Sequence, residues 1–326
     1  MRTIFLTCLI VVSLLAPEIA NCADKVVVVP LNLSKPSGPG LVANTIGMTF
    51  KLLPAGTFTM GSAIGEPGHE VDETAHSVTL TKSFYLQITE VTNKQWNEVI
   101  VAKGLGINPS TSHTGDDYPV DSVNWYETVL FANTLSSMEG RSLCYNTHSS
   151  CSGVVGDEII TGDPYSCGTV DYVPNCTGYR LPTEAQWEYG ARATTTTPWY
   201  YLITYDASAA GQTLSGSNTN LDPIGWYNTN NSPYGTKPVG WKQRNKWFIY
   251  DMLGNVWEWC QDWYHSGYYT MPGSNIDPLG PLTTFKVIRG GGFSNDPDFV
   301  RVAKRYGLGP MGRGEFLGFR LAMPSD

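Results

Sequence analysis

Arg180-Leu181-Pro182-Thr183-Glu184-Ala185-Gln186-Trp187-Glu188-Tyr189 reads as the start of a helix. Thr183 and Gln186 stand at capping-box spacing, so each side chain can satisfy a backbone N–H left open at the helix start. Trp187, Tyr189 and Ala191 then supply its apolar residues. The same arrangement occurs twice upstream. Thr92-Asn93-Lys94-Gln95 precedes Trp96, Val99 and Ile100, and Asn124-Trp125-Tyr126-Glu127 precedes Val129, Leu130 and Leu135. The spacing predicts three helices of about ten residues, each burying its tryptophan.

Between these helices the pattern is that of short strands. Met48–Leu52, Gly56–Gly61, Ser77–Leu80 and Phe84–Leu86 alternate apolar and polar residues, and the C-terminal third alternates Gly-rich turns with brief strands. The acidic stretch from Glu66 to His76 reads as a solvated loop, and residues 194–250 as ordered surface loops with Trp226, Trp241 and Trp247 to pack on. With 34 Gly, 21 Pro, 10 Trp, 18 Tyr and 11 Phe in 326 residues, long regular elements are excluded while aromatic rings can still fill a core. The expectation is one loop-rich α+β domain.

Residues 1–23 carry Arg2, the apolar stretch Ile4–Ala16 and small residues near Ala23, the order of a secretory signal peptide. Residues 24–45 read as an N-terminal lead-in and 46–326 as the domain. Export to a periplasm or to the exterior follows, with membrane attachment only if the signal stays uncleaved or Cys22 is lipidated. The net charge of -8 argues against nucleic acid as a partner, because phosphates require Lys and Arg. In an oxidising compartment Cys144, Cys151, Cys167 and Cys176 read as two disulfides with three connectivities open, and Cys260 as a small buried apolar residue.

Taken together, the Arg180–Tyr189 block, Asp251-Met252-Leu253-Gly254-Asn255-Val256-Trp257-Glu258-Trp259, Arg289-Gly290-Gly291-Gly292-Phe293 and Gly318-Phe319-Arg320 resemble the sulfatase-modifying-factor (formylglycine-generating enzyme) family. Pro54–Ser62 and Thr89–Asn93 fit its opening, and the blocks span residues 47–322. The resemblance implies a C-type-lectin-like fold with a binding groove on its loop surface. It also implies a structural calcium held by Asp251, the carbonyls of Gly254 and Val256, and Glu258, a set of hard oxygens on a glycine turn.

Formylglycine-generating members hold copper(I) with two cysteines after the Gly-rich turn. Here that segment is Phe293-Ser294-Asn295-Asp296-Pro297-Asp298-Phe299-Val300-Arg301, and Cys260 is the last cysteine of the chain. Copper is therefore not expected, since a soft ion needs thiolates. Arg289, Phe293, Asn295, Arg301 and Arg305 are the candidates for lining the groove, although the arginines equally suit loop-fixing contacts to carboxylates. Whether the chain is an enzyme stays open. The first reading is a binding module for a peptide, glycan or protein, and the alternative is an oxidoreductase of different chemistry on the same scaffold. That alternative needs some of His69, His76, His113, His148 and His265 to converge with an acid.

Overall fold

The computed structural model describes residues 38–146, 170–200 and 216–325, and its three α-helices begin at the three capping boxes. In α1 (Asn93–Trp96) the Thr92 side chain accepts from Gln95 N–H while Gln95 accepts from Thr92 N–H, and the helix continues as a π-turn over Asn97–Val101. The same reciprocal bonds open α2 (Trp125–Met138) at Asn124 and α3 (Glu184–Arg192) at Thr183. Trp96, Trp125 and Trp187 are all buried, as their spacing requires.

Strands β1 (Leu41–Ala43), β2 (Thr49–Leu53), β5 (Phe84–Gln87) and β12 (Ala322–Pro324) form an antiparallel sheet in the order β1-β2-β5-β12. Ala322 faces Leu86, so the C-terminal strand closes against the N-terminal third. A second sheet has the order β10-β9-β8-β11, from β8 (Trp257–Trp263), β9 (Lys286–Arg289), β10 (Arg305–Leu308) and β11 (Leu317–Gly318). β3 (Gly56–Met60) pairs with β4 (His76–Leu80), and β6 (Tyr145–Asn146) with β7 (Asp171–Tyr172). β1 falls inside the stretch read as the lead-in and pairs with β2 along its whole length. The signal-peptide segment lies outside the described residues.

Aromatic rings fill the core between these thin elements. Trp96 stacks on Phe131 at 5.6 Å, and Phe319 meets Phe131 edge-on at 5.3 Å. Around Trp187 a second cluster gathers Leu53, Leu86, Ile249, Met252 and Val287. Cys144 and Cys176, separated by 32 positions, form a disulfide in the first cluster, whereas Cys151 and Cys167 lie outside the described residues.

Ion pairs buried in this core tie the sequence blocks together. Arg320 grips Glu258 through Nε to Oε2 and Nη2 to Oε1, both at 2.6 Å, and Trp187 Nε1 donates to Oε2 at 2.8 Å. Arg289 pairs with Glu188, which also accepts from Arg192 Nε at 2.8 Å. Arg305 Nε and Nη2 reach the two oxygens of Glu184 at 2.6 and 2.9 Å. Arg301 embraces Glu73 at 2.7 and 2.8 Å and reaches Glu66 at 3.0 Å. The acidic loop is thus solvated only in part: Glu70 and Val71 are exposed, whereas Asp72 and Glu73 are buried, and Glu73 is the counterion of a buried arginine.

Gly254 (φ 79°) shows how tightly the blocks meet, since a Cβ there would lie 1.9 Å from the Trp226 carbonyl oxygen. Gly47 has a similar φ of 77° but open space around it. Urea unfolding should therefore separate the two. Gly47→Ala costs about 1–2 kcal/mol of left-handed strain, while Gly254→Ala costs at least about 3 kcal/mol because backbone must also move. Equal costs would contradict the close approach. Replacing Cys144 and Cys176 by Ser should lower stability by about 3–4 kcal/mol through loop-closure entropy, as read from urea unfolding.

Candidate functional site: the surface around the glycine turn

After β9 the chain reverses through Gly290 and Gly291, with φ of 98° and 74°. Side chains here would collide with Trp187 and with the Phe299 carbonyl, so the turn sits directly on the core. Asn295 closes it. Its Oδ1 accepts from Gly292 N at 2.9 Å and Trp257 Nε1 at 2.7 Å, and its carbonyl accepts from Asn228 N at 3.0 Å. Asn295 is a peg holding the turn to β8 and to the 228 loop.

The surface beside this peg is aromatic. Tyr306 on β10 lies 5.9 Å from Trp257, and Phe316 packs beside Gly292 and Trp257. Tyr234, 64% exposed, meets the buried Phe293 edge-on at 5.1 Å. Tyr306 and Phe316 are exposed as well.

The groove candidates are redistributed by this geometry. Arg289, Arg301 and Arg305 are buried and spent on carboxylates, so none lines a groove; the loop-fixing alternative describes them. Phe293 is buried beneath Tyr234, and only Asn295 borders the surface. Tyr234, Tyr306 and Phe316 went unnoticed in the sequence, where an exposed aromatic looks like any core aromatic.

The residues named for calcium lie close together, but Glu258 has both oxygens occupied by Arg320 and Trp187. Asp251 Oδ2 accepts from Gly240 N at 2.6 Å, which leaves Oδ1 as the one carboxylate oxygen of the set without a donor. Asp251 contacts Glu90, a buried carboxyl whose Oε2 also lacks a donor. Burial, and then the Asp251 charge, pushes Glu90 well up from the carboxylate range, while burial raises Asp251 to about 6. A proton shared between the two carboxyls supplies the missing donor.

The histidines do not converge. His69 bonds Ser62, His76 stacks on Tyr269, His113 stacks on Tyr118, and His265 bonds Gly267; His148 is outside the described residues. Among the described residues the group able to gather three metal-type ligand atoms is Glu70, Asp72 and Glu73, each already bonded to Lys304, Tyr264 or Arg301. Cys260 is buried in the second core cluster, and burial pushes its thiol up.

Residues 44–324 match the sulfatase-modifying factor enzyme 1-like domain. The chain belongs to that family. It is 31% identical over 255 residues to the chaperone protein LppX of Paenibacillus barcinonensis, covering 72% of this chain and 79% of that protein. Identity to the formylglycine-generating enzyme of Streptomyces coelicolor is also 31%, over 306 residues, covering 84% of this chain and 88% of the enzyme. Treponema denticola variable protein 1 superposes with a TM-score of 0.72 at 27% identity, over 88% of this chain and all (100%) of that one. PvdO from Pseudomonas aeruginosa shares the fold, with a TM-score of 0.67 at 24% identity, over 89% of this chain and 100% of that one. The family's fold and block order are those expected from the sequence.

The Glu90–Asp251 pair sets a pH dependence of known sign. The pair holds its proton in the folded chain at pH values where the unfolded chain has released it, above about pH 4, so its contribution is full below that and falls as pH rises through Asp251's value of about 6. Glu90→Gln keeps an acceptor for Asn255 and removes the shared proton. The variant should be more stable than the parent at neutral pH and lose less stability between about pH 4 and 7, as read from thermal unfolding across pH. A variant with the parent's slope would show that the pair is not protonated.

Proposed function

We propose that this family member is an exported binding module whose contact surface is formed by Tyr234, Tyr306 and Phe316 around the Asn295 peg, and that it holds a peptide, glycan or protein partner. The observation that carries the reading is the state of the segment after the glycine turn. It contains no cysteine; its asparagine is bonded inward, its Arg301 is locked to Glu73, and its Val300 is buried in the core. Copper(I) chemistry needs exposed thiolates, and the last thiol of the chain is buried on β8.

What remains at this surface are rings and amides, the groups that dominate protein contact sites. Tyrosine and tryptophan give large contact areas with few rotatable bonds, so little conformational entropy is lost on binding. The relatives support a division of roles, since the family contains both formylglycine-generating enzymes and a protein named as a chaperone. The Cys144–Cys176 disulfide and the N-terminal apolar run support export.

Two assays test the proposal. A Cys-x-Pro-x-Arg peptide incubated with the chain, copper and oxygen should keep its cysteine; formylglycine in the mass spectrum would overturn the reading. Selection from a displayed random-peptide library should enrich binders, and Tyr234→Ala with Tyr306→Ala should weaken them by about 10- to 100-fold without changing thermal stability. Binding unaffected by both substitutions would place the contact surface elsewhere.

A further inference from the structure

Thr236–Tyr250 contains Lys237, Lys242, Arg244 and Lys246 and no acid, in a chain whose net charge is -8. Lys237 is buried and spends its ammonium on Asn231 and the carbonyls of Pro233 and Gly235. The other three cations differ. None of the ion pairs among the described residues uses Lys242, Arg244, Lys246 or the neighbouring Lys51. Lys242, Arg244 and Lys51 are instead laid on aromatic rings. The Arg244 guanidinium is 3.6 Å from the Phe248 ring centre, with Lys51 Nζ 5.5 Å from the same ring, and Lys242 Nζ is 3.8 Å from the Trp226 ring.

The loop is held firmly. Asn245 Oδ1 accepts from Trp247 N and Ile249 N at 2.9 and 3.1 Å, its Nδ2 donates to the Gly190 carbonyl at 2.7 Å, and Phe248 sits at a positive φ of 69°. Trp241, 68% exposed, stands at the start of this stretch, and Lys246 is exposed too. Three acids border it: Asp222, whose carbonyl accepts from Lys242 and whose charge acts on it, Asp251, whose carboxylate accepts from Gly240 N at 2.6 Å and whose charge also acts on Lys242, and Asp117, whose carbonyl accepts from Val239 N. None of them forms an ion pair with the loop.

We propose that the Trp241–Phe248 loop, with Lys51, docks the domain on an anionic phospholipid surface. Charge complementarity is the argument: cations without carboxylate partners, on a chain of opposite net charge, suit an external anion. Each Lys or Arg near such a surface is attracted to it, and an exposed tryptophan beside them is the residue that favours the headgroup layer. A lipid surface uses both the charges and the tryptophan; a soluble polyanion uses the charges alone. The proposal is independent of the aromatic surface around Asn295, which involves other residues.

Co-sedimentation of the full chain with phosphatidylcholine vesicles, and with vesicles mixed one to one with phosphatidylglycerol, tests it. The N-terminal apolar run contributes to both, so the ratio of the two affinities reports the loop. The parent should prefer the anionic vesicles, and Lys242→Gln, Arg244→Gln and Lys246→Gln together should reduce that preference by about 100-fold. Lys246→Glu with Trp241→Ser, which changes exposed side chains only, should reduce it in the same direction and guards against misfolding of the triple variant. Equal affinity of the parent for both vesicle types, or an unchanged ratio in both variants, would overturn the proposal. So would heparin binding that matches the anionic-vesicle affinity and survives Trp241→Ser, because the loop would then be a site for soluble polyanions.

Discussion

The Arg320–Glu258 ion pair is the contact on which the rest of the structure depends. Arg320 comes from the chain just before the last strand, Glu258 from the middle strand β8, and the indole N–H that completes the site comes from Trp187 on α3. Three segments scattered along the sequence are joined at one carboxylate. A buried ion pair adds little net stability over a well-packed apolar substitute, because desolvating both charges offsets their attraction. What it supplies is register: a slipped strand would leave a full charge unpaired in the core, at a cost of about 3–5 kcal/mol. Arg289 with Glu188, Arg305 with Glu184 and Arg301 with Glu73 repeat the device around the same core. Strands of two to seven residues are too short to fix their own pairing, and these charges do it for them.

Much of this was legible in the sequence. The three capping boxes mark real helix starts, since the signal is local: a Thr or Asn and a Gln or Glu three positions on suffice. The alternation of Gly56–Gly61 and Ser77–Leu80 likewise emerges as the β3–β4 hairpin. What misled the reading was charge. Glu66 to His76 holds four carboxylates in a short loop, which looks solvated until Arg301 and Lys304, more than two hundred positions away, are brought to it. The pairing of an arginine with one particular glutamate depends on topology, and no spacing rule encodes it. Glu258 is a second case, because its guanidinium partner lies 62 positions downstream.

The site was legible only in outline. Sequence located the glycine turn and the absence of thiols after Cys260, and both hold in the fold. It could not separate the buried Phe293 from the exposed Tyr234 that packs on it, since both are aromatic residues in Gly- and Ser-rich loops. Nor could it show that the arginines near the turn face inward. At this surface the nearby arginines are neutralised below and the Asn295 amide is bonded inward, which leaves aromatic rings exposed.

A double-mutant cycle in urea on Glu258→Gln and Arg320→Met tests the central claim most directly. The account predicts that each single substitution costs about 3–5 kcal/mol and that the double variant costs much less than their sum, a coupling of at least about 2 kcal/mol. Costs that add to within about 0.5 kcal/mol would contradict it, and would mean that the two side chains do not act as a pair holding β8 to the chain terminus.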